Sequence, residues 1–229
     1  MASSNVDVFD RPLKKRLREW SFDVKDSSYY DYLRKESADR LIDRLEDISR
    51  TFPVALELGC HRGHIFDIID GAEGLSGTGG LGGIEKIIQC DTSPAAAFQA
   101  SKKTGDLGLV KPYGLVCDEE FIPFKPKSFD AVLSNMYLHW INDLPSTLHQ
   151  VRDILKPDGV FLASMLGGDT LKELRYCLYL AEQERRGGFS PHTSPFAQAS
   201  DVASLLQAAH FALPTVDVDT ITVSGFLLS

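Results

Sequence analysis

An α/β fold with a doubly wound, mostly parallel sheet, preceded by a helical N-terminal extension, is what three features of the sequence predict. The first is Val54-Ala-Leu-Glu57-Leu-Gly59-Cys-His-Arg-Gly63-His-Ile, a short apolar run that passes through a glycine turn into a helical pattern. The second is the alternation of strand-like and helix-like segments from there to Met165, which implies crossover helices between parallel strands. The third is a series of small or acidic residues at successive strand ends, which right-handed crossovers gather on one edge of the sheet.

In chain order, residues 1–50 form the expected helical extension, 51–223 the α/β domain and 224–229 a short tail. Phe9 to Trp20 offers Asp10 as N-cap, Pro12 in the first turn, and Leu13, Leu17 and Trp20 at helical spacing. Lys14, Lys15, Arg16 and Arg18 lie opposite; either the helix packs through its leucines with a solvated basic face, or the basic face docks on a membrane or partner. Tyr29 to Ser49, with Leu33, Leu41, Leu45 and Ile48, reads as a second helix. Strands are expected at Val54–Leu58, Lys86–Cys90, Gly114–Cys117, Phe129–Ser134 and Val160–Met165. The helices between and after them are His64–Asp70, Pro94–Lys102, Leu144–Leu155, Thr170–Glu184 and Asp201–Ala209. Lys156-Pro-Asp-Gly159 marks a turn. Gly71 to Gly83, with seven glycines in thirteen residues, is expected to be a mobile loop, and Arg185 to Ala199 a second long connection. Thr215 to Val223 alternates like a sixth strand with no further strand after it, so the C-terminal strands look incomplete and reduced stability is expected.

The bulk numbers fit a globular chain: 229 residues, 43% hydrophobic, 24% charged, with no apolar run approaching a membrane span. A formal charge of -8 argues against a nucleic-acid partner, which needs a cationic footprint. Cys60, Cys90, Cys117 and Cys177 show neither CxxC spacing nor small-domain density, so no disulfide framework is expected. There is no signal-peptide block, and Asp7 and Asp10 count against an acid-poor transit peptide; no presequence is expected in this chain.

Two glycine signals compete for the ligand site. Gly77-Thr-Gly79-Gly-Leu-Gly82 matches GxGxxG by letter but follows no strand and opens no helix. Glu57-Leu-Gly59-Cys-His61-Arg-Gly63 lies between a strand and a helix start, where N–H groups are fixed and aimed, so it is preferred. Asp91, ending the second strand, can accept both hydroxyls of a ribose, or can instead cap the next helix. Asp118 and Glu119 end the third strand, where an acid can accept an adenine amino group, and Ser134 ends the fourth beside the glycine turn.

These residues together resemble the class I methyltransferases that use S-adenosylmethionine, over about Val54 to Met165. Phe129-Asp-Ala-Val-Leu-Ser-Asn-Met-Tyr-Leu-His139-Trp140-Ile-Asn-Asp-Leu-Pro and Ile154-Leu-Lys-Pro-Asp-Gly-Val-Phe are similar to the branch of the biotin-pathway malonyl-carrier-protein methyltransferase. Within it, Phe9-Asp-Arg, Asp118-Glu-Glu-Phe-Ile-Pro-Phe and the stretch from Gly167-Gly-Asp-Thr to Gly187-Gly-Phe-Ser-Pro-His-Thr-Ser-Pro-Phe resemble the mitochondrial arginine hydroxylases of complex I assembly. That resemblance implies an enzyme of the matrix, or of the matrix face of the inner membrane. It would bind S-adenosylmethionine and hydroxylate an arginine of an iron–sulfur subunit, with peripheral contact at the inner membrane. His61 stands where the family has its middle glycine, so crowding of the methionine moiety is expected.

Candidate acid–base groups are His139, after the fourth strand, and His192, in the second long connection; Asp169, with Glu173 and Glu182, could receive a guanidinium. Spacing reveals no 2-His-1-carboxylate set, and no metal is expected, although Cys60, Cys90 and Cys117 all end neighbouring strands. The alternative functions are methyl transfer to a carboxyl or other small acceptor, and a non-catalytic assembly scaffold.

Overall fold

A computed structural model describes residues 7–74, 77, 79–188 and 194–222. The chain divides into two compact units, Met1–Met165 and Leu166–Ser229. The first unit contains α1 (Arg11–Asp23), α2 (Tyr32–Glu46), β1 (Val54–Leu58), α3 (His64–Asp70), β2 (Lys86–Asp91), α4 (Pro94–Ser101), β3 (Lys111–Val116), β4 (Phe129–Asn135), α5 (Leu144–Ile154) and β5 (Leu155–Ser164). The strands form one sheet in the order β3-β2-β1-β4-β5, with every adjacent pair parallel. The order reverses between β1 and β4, and a ligand crevice opens beyond the carboxyl ends of strands at such a point.

Burial explains which strands are central. All of β4 is buried and so is β1 after Val54, as expected of parallel strands covered on both faces. α2 buries Ala38, Leu41, Ile42 and Leu45, spaced three or four residues apart, in a core that also holds Phe66, Ile69, Ile87 and Leu133. Each fully buried leucine, isoleucine or phenylalanine contributes about 1.5–3 kcal/mol. The Lys156–Gly159 turn does not precede β5 but lies within it. Phe129 pairs with Leu155 and Ala131 with Val160, and the intervening residues bulge around Asp158 at φ 60°.

Three expectations are corrected here. The glycine-rich segment is packed: Gly74 and Gly80 donate to Gly79 and Ile84 carbonyls, Phe52 donates to that of Gly82, and a Cβ at Gly80 would lie 2.2 Å from the Ile69 carbonyl oxygen. Its glycines serve close backbone approach, with Leu75, Ser76 and Thr78 outside the described residues. Residues 215–222 form no strand, and Val218 is 77% exposed; alternation specifies a strand only where a partner edge receives it. Finally, α1 is oriented opposite to a leucine-packed helix. Asp10 caps it through the Leu13 amide at 2.9 Å, but Leu13, Leu17 and Trp20 are exposed while Arg11, Lys14 and Arg18 face the sheet edge. That edge carries Asp91, Asp118, Glu119 and Glu120, and charge complementarity there decides which face turns inward.

The second unit contains α6 (Lys172–Arg186) and α7 (Ala199–Ala208). Gln198 and Asp201 form a capping box at the start of α7, and Arg175 donates to the Gly168 carbonyl at 2.8 Å.

Candidate functional site

The crevice is assembled from β1, β2, β3 and β4 ends and closed by α1. Gly59 follows β1 at φ 72°, and a Cβ there would come within 2.2 Å of the Tyr137 ring. Only glycine leaves that space. His61 adopts φ 49°, the left-handed conformation of a glycine, so the turn keeps its path and the His61 amide donates to Asp91 Oδ2 at 2.9 Å. The imidazole leans instead toward Phe22, with ring centroids 5.2 Å apart, and toward Ser21. Gly63, at φ 70°, caps α3 and faces Gln89 and Lys103.

Asp91 is fully buried. Its Oδ1 accepts from the Ser93 amide at 2.9 Å and its Oδ2 is 2.7 Å from Arg18. The helix-capping role considered for Asp91 falls to Ser93, whose hydroxyl accepts from the Ala96 amide at 3.4 Å. Arg18 also donates to the Gly59 carbonyl at 3.0 Å and lies over the Tyr137 ring. Asp118 is paired with Arg11 and is 41% exposed in its side chain. Glu119 is fully buried, accepting from the Tyr137 hydroxyl at 2.6 Å and the Thr92 amide at 3.3 Å. Burial and then the Asp91 charge push the Glu119 carboxyl up to about 7.

Not every predicted residue lines this space. Glu57 sits inside the sheet with Gln89 Nε2 at 2.7 Å; burial raises its carboxyl to about 8, so it is mostly protonated at neutral pH. The Ser134 hydroxyl donates to the Leu58 carbonyl at 3.0 Å and ties β4 to β1. His139 is buried in the turn Leu138–Trp140, and burial, then Arg34, lower it to about 3. Asp169 is exposed in the second unit, and His192 lies outside the described residues. Cys60 and Cys90 are buried and Cys117 is half-buried, and the three strand-end cysteines do not converge as a ligand set among the described residues.

A cavity of about 460 Å³ opens beside Asp91, lined by Arg18, Arg34, His61, Arg62, Thr92 and Tyr137 among others. Arg11, Lys14 and Lys15 add to its wall, with Asp31 its carboxylate, so the lining is strongly cationic. Sequence reasoning missed Arg11, Arg18 and Tyr137 as parts of the site. Phe9-Asp-Arg and Asn-Met-Tyr, both in the segments of resemblance, held the available signal. It also missed that the fold brings His61 together with Asp31 and His64 from separate elements.

The donor and acceptor set fits an adenosyl cofactor: two buried carboxylates on adjacent strand ends for hydroxyls and an amino group, and the left-handed Gly59 to Gly63 turn bordering the space before them. In this conformation Arg18 and the Tyr137 ring stand in that space.

Sheet order and crevice are those of the class I methyltransferase fold. Residues 56–163 match the family described as "Methyltransferase domain". Over 219 residues the chain is 46% identical to "Arginine-hydroxylase NDUFAF5, mitochondrial" of Danio rerio, a match covering 96% of this chain and 64% of that protein. It is 28% identical over 209 residues to "Malonyl-[acyl-carrier protein] O-methyltransferase" of Methylovorus sp., covering 90% of this chain and 66% of that one. Among solved structures, the Haemonchus contortus phosphoethanolamine N-methyltransferase 2 in complex with S-adenosylhomocysteine shares the fold, with TM-score 0.59 and 18% identity over 93% of this chain and 45% of that one.

Proposed function

We propose that this chain binds S-adenosylmethionine and hydroxylates an arginine of a protein substrate in the mitochondrion, an iron–sulfur subunit of complex I during assembly. The observation that carries the reading is 46% identity across 96% of the chain to a mitochondrial arginine hydroxylase. The chain spans 64% of that relative's length, so activity, substrate and partner are inferences from the matched part. Asp91 serves the ribose hydroxyls, Glu119 and Asp118 the adenine amino group, and the Gly59–Gly63 turn the methionine end. Glu57 and Ser134 hold the strands that present them. In this reading the chain acts in the matrix or at the matrix face of the inner membrane; the relative's name supports the mitochondrion. The exposed Leu13, Leu17 and Trp20 stripe, with Arg16 beside it, supports peripheral contact with an anionic bilayer.

The second reading is methyl transfer to a carboxyl acceptor, and the cationic cavity favours it. Arg11, Lys14, Lys15, Arg18, Arg34 and Arg62 line it and would hold a carboxylate. In that reading the bound cofactor supplies an electrophilic methyl group, while the protein aligns donor and acceptor and excludes water. Mass spectrometry after aerobic incubation with cofactor, a reductant and either an arginine peptide or a malonyl carrier protein separates the two; dioxygen with the reductant supplies the oxygen atom and balances the two-electron oxidation, with water as the second product. A gain of one oxygen on arginine supports hydroxylation, and a gain of one methylene on the carboxyl supports methyl transfer. No change in either substrate would leave a non-catalytic scaffold as the function.

A further inference from the structure

The left-handed turn that keeps His61 in a glycine's conformation also sets its imidazole among groups that the cofactor reading does not use. Asp31 ends the short 3-10 turn Ser27–Asp31, His61 follows β1, and His64 opens α3. All three are buried, at 3%, 7% and 6% exposure. One ligand atom from each lies within 4.8 Å of the other two, and His64 Nε2 is 3.6 Å from Asp31 Oδ2. We propose that Asp31, His61 and His64 form a binding site for a divalent first-row transition metal.

A second observation points to an occupant. His61 Nδ1 and both ring nitrogens of His64 are buried without a hydrogen-bond partner. Buried polar atoms are nearly always bonded, and each orphan costs about 1–3 kcal/mol. A cation bound by one nitrogen from each imidazole and by the Asp31 carboxylate would satisfy two of these three orphaned nitrogens. Nitrogen and carboxylate donors suit iron(II), cobalt(II) or zinc(II) rather than magnesium or calcium, and three protein ligands leave positions for water or a further ligand. His61 and Asp31 also line the cavity, so those positions are reachable from it.

The nearby cations set the terms of loading. Arg62 Nε is 3.1 Å from Asp31 Oδ2, the oxygen that faces His64, and Arg34 Nη1 is 3.9 Å from Asp31 Oδ1. The Arg62 guanidinium is independently held by the Ser21 carbonyl at 2.9 Å and the Ser27 hydroxyl at 2.6 Å, so it has partners when Asp31 turns to a metal. Ligand atoms on one metal lie about 3–3.5 Å apart, so loading draws the three groups inward.

The test is titration of the chelator-treated full chain with cobalt(II), followed by visible absorption and calorimetry. One equivalent should bind with ligand-field bands of nitrogen and oxygen coordination. His64→Ala and His61→Gly should each weaken binding at least about tenfold, the range that loss of a metal-binding contact produces. His61→Gly suits this purpose because glycine adopts the left-handed backbone of residue 61 without strain, so a folded variant is expected, and a cooperative melt verifies it. His149→Ala, on the exposed face of α5, should leave binding unchanged. Absence of stoichiometric cobalt binding overturns the site, and so does binding that survives both histidine substitutions in folded protein.

Discussion

Arg18 is the residue on which the crevice turns. Its guanidinium meets Asp91 at 2.7 Å and the Gly59 carbonyl at 3.0 Å, the two groups that a ribose and a methionine moiety would approach. Arg18→Ala should lower stability by about 3 kcal/mol, because Asp91 keeps its amide donors but loses its countercharge. The same variant should bind S-adenosylhomocysteine more tightly by calorimetry; weaker binding would show that Arg18 holds the ligand rather than its place. His61 gives a second prediction. Crowding of the cofactor is what the sequence suggests, but the imidazole leans toward Phe22 and the amide still faces Asp91. His61→Gly should therefore leave S-adenosylhomocysteine affinity unchanged, while relief of the left-handed backbone, worth about 1 kcal/mol, offsets the lost ring contact in thermal melts.

Among elements, α1 shows how far a pattern can be read and where it stops. The cap at Asp10 and the helical spacing were legible, because both depend on neighbours in sequence. Which face turns inward was not legible, since it depends on Asp91, Asp118 and Glu119, which lie 70 or more positions away in the chain. The strands show the same division. β1 and the helix after it were found to the residue, and β2 and β4 to within one, because apolar runs bounded by turns define them. The Thr215 alternation failed because pairing is a property of two segments. For α1 the expected consequence is membrane affinity: Leu17→Glu should reduce cosedimentation with anionic vesicles while leaving the melt within about 0.5 kcal/mol, as for exposed positions generally. Equal cosedimentation of the variant would assign the stripe to something other than a bilayer.

For the whole molecule, buried titratable groups set a pH profile. Glu57 is raised from 4.5 to about 8 and Glu119 from 4.5 to about 7, so the folded chain holds protons that the unfolded chain releases. Their stabilising share is complete below pH 4.5 and is lost as pH rises through 7 and 8. His61, His64 and His139 are lowered from 6.5 to about 2, 4 and 3, so the unfolded chain takes up protons that the folded chain refuses, and stability is lost as pH falls below 6.5. Stability should therefore peak at roughly pH 6. Glu57→Gln should flatten the alkaline limb by up to about 1.4 kcal/mol per pH unit, one proton's worth, in denaturant titrations at stepped pH. An unaltered limb would mean that Glu57 is ionised in the folded state.

Placing α1 over the crevice also has a kinetic consequence. If Asp91 must release Arg18 before a nucleoside can enter, only the opened fraction of molecules is competent at any instant. Apparent affinity is then the intrinsic affinity scaled down by that fraction. In stopped-flow mixing, the observed rate should rise with ligand concentration and then level off at the opening rate of the helix, and Arg18→Ala should lift that ceiling.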